Sequence, residues 1–161
     1  MSWQKPIYDR TEEDVLKVIT YDNIGYKYLT QEQKEEWDNG LKGAINYKDI
    51  NRIEGNTQYL FSIYGTTGID IKTDWTYTDI VTDSEFQRIL YNIYLLKRYY
   101  KIYETTPAIP PPPINTYQKV NDMERILYDM YFIYENGSRA FARNDTVYKA
   151  ELYANDDITV I

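Results

Sequence analysis

The hydrophobic positions of this chain form one helical pattern that is written three times. The strings INRIEGNTQYL, FQRILYNIYLL and MERILYDMYFI begin at Ile50, Phe86 and Met123, so the pattern returns after 36 and then 37 residues. Within each string, apolar residues recur at steps of three and four, which is the spacing of one buried helical face. The repeats predict three helices, over about 47–64, 83–102 and 117–136.

Each predicted helix has one stripe of core positions with a polar pair beside it. In every repeat an arginine is followed four residues later by an amide or a carboxylate, and residues at this spacing share a helical face. We expect these side chains to bond with each other or with a neighbouring helix, and to support the fold rather than bind a ligand. The polar pairs are Arg52 and Asn56, Arg88 and Asn92, and Arg125 and Asp129. The expected core positions are Ile50, Ile53, Thr57, Leu60 and Tyr64; Phe86, Ile89, Ile93, Leu96 and Tyr100; and Met123, Ile126, Met130 and Ile133.

Two shorter helices are predicted before the repeats. Thr11 with Asp14, and Thr30 with Gln33, have the spacing of a capping box, in which two side chains satisfy the first amides of a helix. The first helix then has apolar residues at 15, 16, 18 and 19, and the second should end near Asn39-Gly40. We therefore expect an N-terminal helical segment over 1–45, packed on a three-repeat helical body over 46–137.

Two connections separate the repeat helices. The first, from Gly65 to Thr82, has the glycines and β-branched residues of an irregular link. The second contains a proline run within residues 107–115, which cannot be helical and favours a stiff polyproline II strut. Such a run is either a spacer between helices or an exposed ligand for an aromatic groove, and we favour the spacer. The prolines are Pro110, Pro111, Pro112 and Pro113.

The hydrophobic period changes in residues 138–161. Polar and apolar residues alternate over 146–153, a turn signal stands at 155–157, and β-branched residues follow. This pattern predicts a β-hairpin or two docking strands, which need a partner because an isolated hairpin is marginally stable. The expected protein-contact residues there are Val147, Tyr148, Leu152 and Tyr153. The fold class is thus mainly α, a bundle of three repeat helices and two N-terminal helices with a short C-terminal β element.

The amino-acid composition excludes several kinds of catalytic and metal-binding site. The chain has no Cys and no His, which excludes disulfides, thiol nucleophiles, Cys/His zinc sites and Ser-His triads. Its net charge of −7 argues against nucleic acid or an anionic membrane as main partner. We see neither a signal peptide nor a membrane span in the sequence. The 19 tyrosines, against 4 phenylalanines, suit partly buried surfaces and protein contacts, although AT-rich codon usage favours tyrosine as well.

An enzyme built on this sequence would need carboxylates. A pair at a suitable separation could hydrolyse a glycosidic bond. However, 25 acidic residues produce such pairs by chance, and most acids form solvated helix faces. We therefore expect no catalytic residues, no cofactor and no metal site. The carboxylates considered are Glu35, Glu36, Asp79, Glu85 and Asp129.

Four motifs, in order, resemble a family of small proteins from phages and prophages of low-GC Gram-positive bacteria. The family pattern begins Y-D-R-T-x-x-D-V and continues with N-x-x-D-x-N-R-I-E-x-N, K-T-D-W and, after a proline-containing link, N-x-x-E-x-I-L. This chain matches at 8–15, 46–56, 72–75 and 121–127, with Arg125 at an open position of the last pattern. The link is richer in proline here, and the C-terminal strands match loosely.

The resemblance implies a structural protein of the virion, associated with the tail or baseplate or with the attachment of tail fibres. It implies no catalytic residue. The expected partners are other tail or baseplate proteins or a tail fibre, in an oligomeric arrangement. The expected location is the virion tail, after synthesis in the host cytoplasm. The alternative function is a receptor- or carbohydrate-binding module at the tail tip, in which Trp3, Trp37 and Trp75 stack on sugar rings.

Overall fold

The computed structural model describes residues 2–65, 68–99 and 102–154. For residues 99 and 138–154 it describes the backbone alone. The described chain is mainly helical and has no strand. Its elements are α1 (Glu12–Ile24), a 3-10 turn (Tyr26–Tyr28), α2 (Gln31–Asn39), α3 (Tyr47–Tyr64), α4 (Asp83–Tyr99) and α5 (Tyr117–Ala154).

The three repeat helices α3, α4 and α5 pack pairwise around one core. All the predicted stripe positions from Ile50 to Leu60, from Phe86 to Leu96 and from Met123 to Met130 are buried, which confirms the helical period. Thr57 is tolerated in this core because its hydroxyl donates to the carbonyl of Ile53, 2.8 Å away. Tyr64 and Ile133 are half-buried at the edge, and Tyr100 lies outside the described residues.

Both predicted capping boxes are present. The Thr11 hydroxyl accepts from the amide of Asp14, whose carboxylate accepts from the amide of Thr11. Thr30 and Gln33 form the same reciprocal pair at the start of α2. Helix α2 then ends at Asn39 with Gly40 as its C-cap, as predicted, and α3 begins with a third box between Asn46 and Asp49.

The apolar stripe of α1 does not pack as expected. Leu16 is 54% exposed and Ile19 is 49% exposed. The reason is that α1 turns the neighbouring face inward, with half-buried Val15 and Val18 and buried Tyr21 at steps of three. Neighbouring residues of a helix point about 100° apart, so the two members of a pair at 15/16 or 18/19 cannot both face the body. One member of each pair therefore stays in solvent.

Both connections are irregular, as predicted, but they are firmly attached to the body. Trp75 in the first connection is only 4% exposed and belongs to the main core. In the second, Ile109 and Ile114 pack against the core on either side of the prolines. The Nζ of Lys97 donates to the carbonyl of Pro107 at 2.7 Å, which fixes the link to α4.

Helix α5 continues past Gly137 to Ala154, through the positions where the sequence predicts the first β strand. The side chains that would pair or dock there, those of residues 138–154, and the whole of residues 155–161 lie outside the described part. The C-terminal β element therefore stays a prediction.

Candidate functional site

Four charged side chains meet in the interior, and we call them the ionic centre: Arg10, Asp49, Arg52 and Glu124. Arg52 binds Glu124 at two points, from Nε at 2.9 Å and from Nη2 at 2.7 Å. Arg10 Nη2 lies 2.9 Å from Asp49 and 3.1 Å from Glu124. All four residues are buried. The two positive and two negative charges compensate each other, which is the condition under which buried charges are tolerated.

The ionic centre joins three segments that are distant in sequence. Arg10 comes from the N-terminal segment, Asp49 and Arg52 from α3, and Glu124 from α5. The backbone before α1 is held in the same place, because the amide of Ile7 donates to Glu124 at 2.8 Å. The side chain of Asn121 binds both the amide and the carbonyl of Arg10.

The guanidinium of Arg52 is held in its charged form. Burial on its own would lower the pKa of Arg52, but the hydrogen bonds and charges of Glu124 and Asp49 outweigh burial and raise this pKa above its ordinary value. Asp49 has a second role, since its carboxylate also accepts from the amide of Asn46 at 3.0 Å and so caps α3. The start of α3 and the ionic centre are therefore one structural unit.

A second, partly buried cluster, the linker clamp, attaches the first connection to α3 and α4. Its residues are Glu54, Trp75 and Arg88, with Asn51. Trp75 donates from Nε1 to Glu54 at 2.9 Å, and Arg88 binds the two oxygens of Glu54 at 2.6 Å each. Asn51 bonds both the amide and the carbonyl of Trp75 at 2.9 Å. The hydrogen bond to Glu54 is the main reason that the pKa of Arg88 is raised.

The repeated polar pairs therefore have three different environments. Only Arg125 and Asp129 bond to each other, at 2.7 Å, and the hydroxyl of Thr106 also donates to Asp129. Arg52 and Arg88 reach acids on other helices instead. Asn56 binds the backbone of Gln4 through both its amide atoms, and Asn92 donates to the carbonyl of Asp70 at 2.6 Å.

Sequence reasoning did not single out Arg10, Asp49, Glu54 or Glu124, although the matched motifs contain all four. For Glu54 and Glu124, however, the sequence contained a signal that could have identified them. Glu54 and Glu124 directly follow the predicted core positions Ile53 and Met123, where an unpaired charge would be costly. Such an acid predicts a buried basic partner, but not which one.

The residues expected to contact other proteins are only partly described. Pro110 is buried, whereas Pro111, Pro112 and Pro113 are exposed. The backbone of Val147, Tyr148, Leu152 and Tyr153 lies in the described length of α5, and their side chains lie outside the described residues.

The three tryptophans considered for sugar binding lie in different surroundings. Trp75 is in the core. One face of Trp3 is covered by Tyr131, with ring centroids 4.1 Å apart and planes 7° from parallel. Trp37 is half-buried on α2.

The candidate catalytic carboxylates are bound separately and not as a pair. Glu35 accepts from Gln31, Glu36 from Lys17 and Tyr21, and Asp79 from Thr76. Glu85 pairs with Arg88 and Asp129 with Arg125. Within the described ranges, no three acidic side chains are grouped so that they could hold a metal ion.

A cleft of about 520 Å³ lies where the N-terminal segment meets the start of α5. Val15, Ile45, Ile114 and Val120 give it a largely apolar wall, and Glu12 stands at its edge. Arg10 also lines the cleft, and its buried Nε is the single buried side-chain nitrogen or oxygen without a hydrogen-bond partner in the part of the chain that is described. The polar interior is thus almost fully satisfied by the protein itself.

A comparison of the chain with protein-family models, with curated proteins and with solved structures gave no match. Among the described helices, none is both long enough and apolar enough to span a membrane.

Proposed function

We propose that this protein is a non-enzymatic structural adaptor of a phage tail, baseplate or tail-like particle, which acts through protein contacts. One observation carries the proposal: the polar residues of the matched motifs bond to one another inside the fold. Arg10, Asp49, Arg52 and Glu124 complete the ionic centre, and Glu54 completes the linker clamp. The motifs that support the resemblance to virion proteins are therefore the ones that fix the geometry of the body.

This use of charge suits a scaffold better than a catalyst. A catalytic acid or base must reach a substrate, whereas the acids of the ionic centre are buried and paired. Each paired group instead holds a segment at two or more points, which fixes the angles between segments. Fixed geometry is what a component between other particle proteins requires. We further propose that the protein is made in the host cytoplasm and is oligomeric within the tail.

The test is incorporation into particles. Particles are purified by density gradient from an induced producing strain, and the protein is quantified in each fraction by peptide mass spectrometry. We expect it to co-migrate with tails at a fixed ratio to a major tail protein, and we expect a strain lacking its gene to yield defective tails. A protein found only in the soluble fraction, with normal tails in the deletion strain, overturns the proposal. Glycan binding by the free protein would then favour the receptor-binding alternative.

A further inference from the structure

The first connection presents two large apolar side chains to solvent at one turn. We call residues 76–81 the knuckle. Within it, Tyr77 is 85% exposed and Ile80 is 83% exposed, more than any other large hydrophobic residue in the described ranges. Isolated exposed apolar residues are common on proteins, but two at one tight turn form a concentrated apolar surface.

The knuckle has a defined shape. The carboxylate of Asp79 accepts from the Thr76 amide at 2.7 Å and from the Thr76 hydroxyl at 2.9 Å, and the Asp79 amide donates to the Thr76 carbonyl at 3.1 Å. The backbone and hydroxyl hydrogen bonds from Thr76 hold the pKa of Asp79 below its ordinary value, so the turn is closed by a charged group.

The base of the knuckle is equally firm. The residue before it is Trp75, which is held by Asn51 and Glu54 in the linker clamp. The turn therefore projects from the core without a flexible stem. A surface ordered before binding loses little conformational entropy when it meets a partner, which raises affinity.

Acidic residues outnumber basic ones around the knuckle: Asp38, Asp74, Asp79 and Asp83 against Lys48 and Lys72. Asp74 and Asp83 are exposed and stand three residues from Tyr77 and from Ile80, within about 10 Å along the chain. Two lysines are close to these acids: Lys72 lies 3.9 Å from the ring of Trp75 and 3.9 Å from Asp79, and Lys48 lines the cleft beside Tyr77. A complementary surface carries Lys or Arg around an apolar pocket. A second copy of this chain fits less well, because each copy carries a net charge of −7.

We propose that Tyr77 and Ile80 anchor a contact with a different protein, whose apolar pocket is rimmed by Lys or Arg. The inference rests on the proposed function, because that partner is a neighbouring protein of the particle. Two side chains fill only part of the ~800 Å² that each partner buries in a standard interface, so the knuckle is its centre. A cleft of about 360 Å³ beside the knuckle, lined by Trp37 and Tyr47, extends the same surface.

The first experiment compares two double variants in a gene-deletion strain. Tyr77→Ser with Ile80→Ser removes the anchor, and Tyr28→Ser with Ile24→Ser removes a matched exposed pair near α1. Both variants should fold and melt like the wild type. We expect the knuckle variant to fall about tenfold or more in purified particles, the effect of losing a hot-spot anchor, while the control stays at the wild-type level. Equal incorporation of the knuckle variant overturns the inference alone, whereas absence of the wild-type protein from particles overturns the proposed function with it.

The second experiment identifies the contact directly. Tyr77 is replaced by p-benzoylphenylalanine, particles are irradiated, and the cross-linked peptide is sequenced by mass spectrometry. We expect a peptide from another particle protein, with Lys or Arg near the cross-linked position. A cross-link to a second copy of this chain, or no cross-link in particles that contain the variant, contradicts the proposed partner.

Discussion

Arg52 of α3 and Glu124 of α5 are 72 residues apart in sequence and form a two-point ion pair in the interior. The pair fixes the position of one repeat helix against another. Arg10 joins it from the N-terminal segment, so a single carboxylate organises three parts of the chain. A buried ion pair of this kind adds little net stability relative to an apolar core, but losing one partner is expensive.

The first prediction concerns Glu124. Its replacement, Glu124→Ala, leaves two buried arginines, Arg10 and Arg52, with Asp49 as the one remaining acid of the ionic centre. We expect a loss of about 3–5 kcal/mol in the free energy of unfolding, the cost of an uncompensated buried charge. Urea denaturation followed by circular dichroism measures it.

The matched control is Arg125→Ala, the residue beside Glu124 on α5. Its side chain is 41% exposed, and its buried partner Asp129 keeps the hydrogen bond from Thr106, so we expect a smaller loss than for Glu124→Ala. A loss in the Glu124 variant no larger than in this control would contradict the central role of Glu124.

The second prediction concerns the linker clamp. Trp75→Ala opens a cavity in the core and removes the hydrogen bond that Trp75 donates to Glu54. We therefore expect a loss of about 3–5 kcal/mol in the free energy of unfolding. Trp37→Ala, on the half-buried face of α2, should cost clearly less. Thermal unfolding of both variants tests the difference, and equal losses would show that Trp75 does not anchor the connection.

The helices and their buried faces could be predicted because they depend on local spacing. The period of Ile50, Ile53 and Leu60 is fixed by the geometry of one helix, whatever it packs against. Helix α3 also has both end signals, a capping box at Asn46 and Gly65 with φ +67°, and its bounds agree with the prediction. On α1, the apolar residues cover a wider arc of the helix surface, so their spacing did not identify a single buried face.

The ionic centre could not be predicted in the same way. Arg52 had a candidate partner four residues away, Asn56, but it pairs with Asp49 on its own helix and, at two points, with Glu124 on α5. That choice depends on how α3 and α5 pack, which the spacing of apolar residues does not specify. The matched motifs contain all the residues of the ionic centre, but they do not show which of these residues pair with each other.

The third prediction tests the close approach of two backbones. A Cβ at Gly43 would lie 2.1 Å from the carbonyl oxygen of Asp14, which is too close for any side chain. Gly43→Ala should therefore push the loop before α3 away from α1 and destabilise the N-terminal segment. Gly137→Ala is the control, since nothing lies within 4 Å of its Cβ and alanine favours a helix by about 0.5–1 kcal/mol. Hydrogen exchange of α1 amides should rise in the first variant only.

The fourth prediction is a pH dependence at the contact between α1 and α2. Hydrogen bonds from Lys17 first, and from Tyr21 second, lower the pKa of Glu36 from its ordinary value of 4.5. A lowered folded-state pKa gives stability that is full above the unfolded value and is lost as pH falls through the folded value. The stability difference between wild type and Glu36→Gln should thus be present at pH 6 and shrink below about pH 4.5. An unchanged difference at pH 3 would contradict this contribution.

The last prediction concerns residues 146–161, where the sequence predicts docking strands. Among the described side chains of α5, the last buried core residue is Met130, and aromatic contacts reach Tyr134, so the described core forms without any contact from the last sixteen residues. We expect a chain ending at Asp145 to stay folded and helical but to be a monomer by light scattering, while the intact chain is a defined oligomer. Val147→Ser with Leu152→Ser should reproduce the loss without shortening the chain. If both truncated and intact proteins are monomers, and the truncated protein still enters particles, the C-terminal segment is not an assembly element and the knuckle remains the proposed contact.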